Sequence, residues 1–155
     1  MSYKNPLYDL TTDMFSVVSN AVSVPVYKGD VPAPVSVNHV IVRSESSNNS
    51  EKNKHSFISS ATVIVEIVGI FDVAVDESVV AAIEEDINDA VFTTPSSFGV
   101  GSGYSVSEIT LQSNTITEDD GTNKFMSFVI NCTSGNFICS IFKPMPNLLL
   151  CSAAL

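Results

Sequence analysis

Apolar and polar positions follow two clear rhythms along this chain, and each predicts a different kind of element. In NPLYDLTTDMFSVVSNAV the side chains Leu7, Leu10, Met14, Val17, Val18 and Ala21 share one helical stripe. That spacing predicts an amphipathic helix over residues 6 to about 20, with Asn5 as its cap and Pro6 at its first position. A second stripe, Val79, Val80, Ile83, Ile87, Ala90 and Val91, predicts another helix in ESVVAAIEEDINDAVF, capped by Asp76, with Glu84, Glu85, Asp86 and Asp89 largely on its wet side. The run ATVIVEIVGIFDV, residues 61–73, is β-branched and apolar on both faces, the pattern of a central, covered strand.

Weaker signals fill the intervals. SVPVYKG predicts a short strand over 24–27, and VSVNHVIVRSE a second over 35–45. Between them YKGDVPAPV reads as a rigid connector: Gly29-Asp30 turns the chain, while Pro32 and Pro34 fix φ and remove two backbone donors. Residues 44–60, SESSNNSEKNKHSFISS, read as a long polar connection, and TTPSSFGVGSGYS, residues 93–105, as a flexible loop. VSEITLQSNTIT and NKFMSFVINCTS flank EDDG, whose Asp120-Gly121 step is a hairpin signal. The last stretch, NFICSIFKPMPNLLLCSAAL, is apolar but interrupted by Lys143, Pro144 and Pro146, so it suits a strand or a docking arm rather than a long helix. This order of elements predicts an α+β domain of two layers over residues 1–135, a mostly antiparallel sheet packed on two amphipathic helices with a protruding loop or hairpin, followed by an apolar C-terminal arm, 136–155.

Composition narrows the function. At 155 residues the chain fits one domain, and 45% apolar with 15% charged residues is a folding composition. A formal charge of -10 opposes attraction to nucleic-acid phosphates and to anionic lipid. No window has the length and apolarity of a membrane span, and MSYKNPLYDLTTDMF lacks the basic flank and apolar core of a signal peptide, so assembly in a cytoplasm is expected.

The residues that carry chemistry are sparse and scattered. His39 sits in a strand pattern and His55 in the polar connection, neither within a metal-ligand spacing. Cys132, Cys139 and Cys151 form no C-x-x-C pair, and the first two lie in apolar surroundings that suit small hydrophobes. The acids at 84–89 read as a solvated helix face, and EDDGTN lacks the spacing and distal Glu of a calcium loop. G-x-G-x-G at 99–103 leads out of a helix towards a strand, the reverse of a phosphate cradle, and no serine sits in G-x-S-x-G. These readings predict no enzyme, no cofactor and no metal, and point instead to surfaces that bind proteins.

The chain resembles the tail-terminator and tail-completion family of tailed bacteriophages. The resemblance rests on the N-terminal helix, Val26-Tyr27 with Val31-Pro32, the run His39-Val40-Ile41-Val42, and the strand 63–71 leading into the helix 77–91. It covers about residues 5–133 as an order of elements. It implies a structural virion protein that forms a homomeric ring, hexamer or dodecamer, at the phage neck or tail end. Such a ring joins the portal or connector to the tail proteins and leaves a channel through which DNA passes without specific binding. On this chain the resemblance puts candidate interface positions at Tyr27, Pro32, Pro34, Phe57, Phe98, Phe137, Phe142, Leu148 and Leu149. The loops 44–60 and 93–105 would reach adjoining rings, and the arm 136–155 would dock on an adjacent subunit. Glu84, Glu85, Asp86, Asp89, Asp119 and Asp120 are candidates for an acidic lumen that repels the DNA backbone. The alternative is a non-enzymatic cytoplasmic binding module or adaptor using its sheet edge and apolar arm.

Overall fold

The computed structural model of the chain describes residues 6–31, 35–52, 57–70, 77–93, 98, 104–119 and 121–134. The elements are α1 (Pro6–Ala21), β1 (Val26–Lys28), β2 (His39–Lys52), β3 (Phe57–Gly69), α2 (Glu77–Thr93), β4 (Tyr104–Asp119) and β5 (Gly121–Ser134). The five strands form one sheet in the order β1-β2-β3-β5-β4. Only β1 with β2 is parallel, and the other pairs are antiparallel. The α+β class, the mostly antiparallel sheet and the two helices are those that the periodicity predicts.

Alternation along the strands divides the sheet into two unlike faces. Val40 and Val42 of β2, Ala61, Val63, Val65 and Ile67 of β3, and Met126, Phe128, Ile130 and Cys132 of β5 point one way and are fully buried. Leu10, Met14 and Val18 of α1 with Val80, Ile83, Ile87 and Val91 of α2 complete the same core, so both helices cover this inner face. Leu7, Val17 and Ala21 pack at its margin as the α1 stripe requires. Val79 departs from its predicted place: it is 38% exposed, because the next residue, Val80, already faces the core and consecutive helical side chains diverge by about 100°.

The largest correction concerns residues 44–60. Their described parts, 44–52 and 57–60, are paired strand rather than connection: β2 continues to Lys52 and β3 begins at Phe57, with Ser47 opposite Ala61, Asn48 opposite Ser60 and Lys52 opposite Phe57, while residues 53–56 lie outside the described residues. The segment reads as a loop because β2 is mostly exposed from Ser44 to Asn48 and carries Ser and Asn where a covered strand carries Val. Two register shifts, between Ser44 and Ser46 and between Asn49 and Glu51, accommodate the departure from regular pairing. β2 also begins at His39 rather than 35, since the preceding residues are still returning the chain. A parallel neighbour needs such a return, because β1 ends at the level of Val42 and β2 must restart beside Val26. Gly29 opens it with φ +79 and donates to the Val42 carbonyl at 2.9 Å. Pro32 and Pro34, the caps Asn5 and Asp76, and the arm 136–155 lie outside the described residues.

β3 is central, as its composition predicts, but the described helices cover only one of its faces. On the opposite, outer face Thr62, Ile64 and Val68 are half-buried and Glu66 is 6% exposed.

Candidate functional site

Surfaces rather than a cleft carry the candidate chemistry, and the first is the sheet's two edges. β4 is a 16-residue strand whose one neighbour among the described residues is β5. On the other side β1 covers β2 only over Val40, Ile41 and Val42, so from Arg43 to Lys52 β2 has no strand on its outer side among the described residues. Among the described residues these two strands lack a neighbour on opposite sides of one sheet, the kind of edge with which another chain can pair. Both strands are bulged, β4 between Val106 and Glu108 and between Leu111 and Ser113, which increases local twist.

The second surface is an acidic end. Glu84 of α2 is not the solvated residue that the helix pattern predicts: its side chain is 17% exposed and paired with Lys124 of β5, itself 13% exposed. Asn114 Nδ2 of β4 donates to the other Glu84 oxygen at 2.5 Å. Lys124 stands on the inner face opposite Ile67, so the contact ties α2 to the β4–β5 hairpin near its turn. Glu85, Asp86 and Asp89 remain exposed, α2 has no basic residue in its last turn, and Asp119 sits at the end of β4. Glu85 with Asp89 and Asp86 with Asp89 lie four and three residues apart on one helix, like-charge pairs that cost about 0.2–0.5 kcal/mol each. Asp120 lies outside the described residues.

The third surface is the outer face near β1. Tyr27 is half-buried with its ring edge-on to His39 at 5.7 Å between centroids. His39 Nδ1 is 2.8 Å from the Val37 carbonyl, which can only accept, so that nitrogen carries the proton. Beside them Arg43 Nη2 stands 3.3 Å from Glu66 Oε2, with the Arg side chain 48% and the Glu side chain 8% exposed. This is a charge contact without hydrogen-bond alignment: Glu66 Oε2 is buried and accepts no hydrogen bond among the described residues. On the opposite, helix-facing side Lys28 lies 4.0 Å from the Tyr8 ring centroid and donates to Thr12.

The remaining candidates fall apart spatially. Phe98 is 4% exposed within the chain's own core, Phe57 is at the start of β3, and Phe137, Phe142, Leu148 and Leu149 lie outside the described residues. Cys132 is a free thiol between strands, 3.6 Å from the Ser59 carbonyl, and burial pushes its pKa up to about 11. A thiol held protonated there is a poor nucleophile. Among the described residues no three His, Cys, Asp or Glu side chains stand close enough to share a metal ion, and no helix is long and apolar enough to cross a membrane.

Arg43, Glu66 and Lys124 are the surface features that the residue patterns did not single out. A signal for one was present: Glu66 is the lone charge in an otherwise apolar strand, ATVIVEIVG, and a charge there is either outward or paired.

No family model matches the chain, and no curated protein does. Among solved structures, a chain of the virion of a native gene transfer agent (GTA) particle has the same fold, with a TM-score of 0.64 and 10% identity, covering 85% of this chain and 100% of that one.

Proposed function

We propose that the protein is a non-enzymatic structural component of a tailed-phage type virion, forming a homomeric ring at the neck or tail end. The observation that carries this reading is the fold shared with the whole of a virion chain over most of this sequence. The order of elements, which resembles tail-terminator proteins, and the two open sheet edges support it. An open edge on each side lets β4 of one copy approach β2 of the next. Because β4 runs opposite to β2 in the sheet, copies in the same orientation meet antiparallel, and such a head-to-tail contact closes into a ring when the rotation allows.

In this ring the partners are further copies of the chain, the portal or connector, and tail proteins, and DNA crosses the channel without specific contacts. The exposed Glu85, Asp86 and Asp89 would face that channel and keep the backbone from sticking. Light scattering on the size-exclusion peak should give a hexamer or dodecamer. Mass spectrometry of purified particles should find the chain in the virion, and electron microscopy should place it at the neck or tail end. Absence of the chain from complete particles would overturn the reading. A ring with α2 on its outer wall would remove the acidic lumen alone.

A further inference from the structure

We propose that in the ring β4 of one copy pairs with β2 of the next in a single register, with Glu108 opposite Asn48. This pairing deepens the ring reading above and rests on it. Four polar side chains stand in one line across the outer face: Asn48 lies opposite Ser60, Ser60 opposite Asn131, and Asn131 opposite Glu108. Three of them are already joined, since Ser60 Oγ donates to Asn131 Oδ1 at 2.6 Å and Asn131 Nδ2 donates to Glu108 Oε2 at 3.2 Å. The row thus begins at an amide on the β2 side of the sheet and ends at a carboxylate on the β4 side. Both end residues are exposed; Asn48 carries two N–H donors, and the Glu108 carboxylate has lone pairs beyond the one that Asn131 uses. Set side by side in successive copies, they continue the row through a charge-assisted bond.

The two backbones also match in length over the same rows. Between the rows of Phe128 and Cys132, β3 and β5 each use five residues, 59–63 and 128–132. Over that span β2 and β4 each use six, 44–49 and 106–111, because each carries one extra residue there. A bulge ordinarily guards an edge, since a regular strand cannot stay in step with it. A strand with the same extra residue over the same rows can. With Glu108 opposite Asn48, antiparallel pairing sets Ile109 opposite Ser47 and Thr110 opposite Ser46, and each pair shares a face as cross-strand partners must. A slip of one residue would send Glu108 and Asn48 to opposite faces and break the row.

Cross-linking of the full chain reads the register directly. In a background of Cys132→Ala, Cys139→Ser and Cys151→Ser, the chain with Asn48→Cys and Glu108→Cys should give a ladder of disulfide-linked multimers under mild oxidation. Asn48→Cys with Thr110→Cys, a two-residue slip on the same face, should link several-fold less. Without any cysteine change, Asn48→Asp sets two carboxylates opposite each other and should weaken association about two- to five-fold per contact, and adding Glu108→Gln should restore it. A ring in which the slipped pair links better, in which no pair links, or in which Asn48→Asp has no effect overturns the register and leaves the ring reading standing. Linked dimers from Glu108→Cys alone would assign the edge to a two-fold β4–β4 contact and overturn the pairing. A chain that stays monomeric and unlinked at high concentration overturns it as well, and mass spectrometry of purified particles then decides the virion reading by itself.

Discussion

The β2–β3 ladder has two halves that share antiparallel pairing and differ in almost everything else. At the upper half Val40 faces Ile67 and Val42 faces Val65, all fully buried under the helices. At the lower half Ser47 faces Ala61 and Asn48 faces Ser60, and Ser44, Glu45, Ser46 and Asn48 are exposed. The difference teaches that strand pairing and strand hydrophobicity are separate properties. Side chains declare a strand only where a face must be buried, while backbone pairing extends wherever a neighbour is already aligned.

The upper half should break first and hardest. Phe128 is the largest fully buried side chain and stands opposite Val63 in the layer beneath α2, with its ring 6.2 Å from that of Phe92. Phe128→Ala leaves a void the close-packed aliphatic neighbours cannot fill, at a cost of about 3–5 kcal/mol. Urea unfolding should show the midpoint falling by a large fraction, with the slope unchanged. A loss under about 1 kcal/mol would mean that the inner face collapses freely and is not the tight layer described.

The contact that fastens α2 beside the hairpin comes next. Glu84→Ala strands a largely buried ammonium group and removes the acceptor of Asn114, which should cost about 1–3 kcal/mol. Adding Lys124→Met should restore much of the loss, because burying two apolar side chains avoids the desolvation that the pair must overcome. If the double variant is weaker than the single by the full cost of a second independent deletion, the two side chains do not act as a pair.

The lower half can be tested with proline, which discriminates ladder from loop. Neighbouring residues in a strand turn their N–H groups to opposite sides, so of Ser47→Pro and Asn48→Pro one removes a bond to β3 and the other faces the open edge. The first should cost about 1 kcal/mol or more, and the second distinctly less. Equal, small effects would restore the loop reading of 44–60.

That ladder also shows what was legible from residue order alone. Both helices were, because Leu10, Met14 and Val18 in one and Val80, Ile83 and Ile87 in the other repeat at the helical period against a single core. The β4–β5 hairpin was legible from its turn, and β3 from its β-branched run. The lower half of β2 was not, since a strand exposed on its faces has no apolar period to display. Nor was the role of Glu84, whose position on the helix predicts water and whose partner Lys124 is 40 residues away. The outer-face pair of Arg43 and Glu66 was half legible: the lone charge in β3 was visible, but its partner depends on register, which residue order does not state.

The smallest effect is invisible at neutral pH and probes the dryness of the lower half from within. Cys132 lies opposite Ser59 and Val106, level with the polar stretch of β2, yet both Cys132 and Ser59 are fully buried. Burial raises its thiol from 9.0 to about 11, so well below pH 9 folded and unfolded chains both hold the proton and stability does not depend on this group. As pH rises from 9 towards 11 the unfolded chain ionises first, and folded stability falls across that window. With Cys139 and Cys151 replaced by serine, the denaturation midpoint should therefore match that of a Cys132→Ala control in its pH dependence up to about pH 8 and decline more steeply than the control as pH passes 9. Alkylation of Cys132 at pH 8 should be slow until the chain unfolds. Rapid alkylation of the folded chain would mean that water reaches the inner face beneath the polar hairpin, and the two halves of the ladder would then differ on both faces rather than on one strand alone.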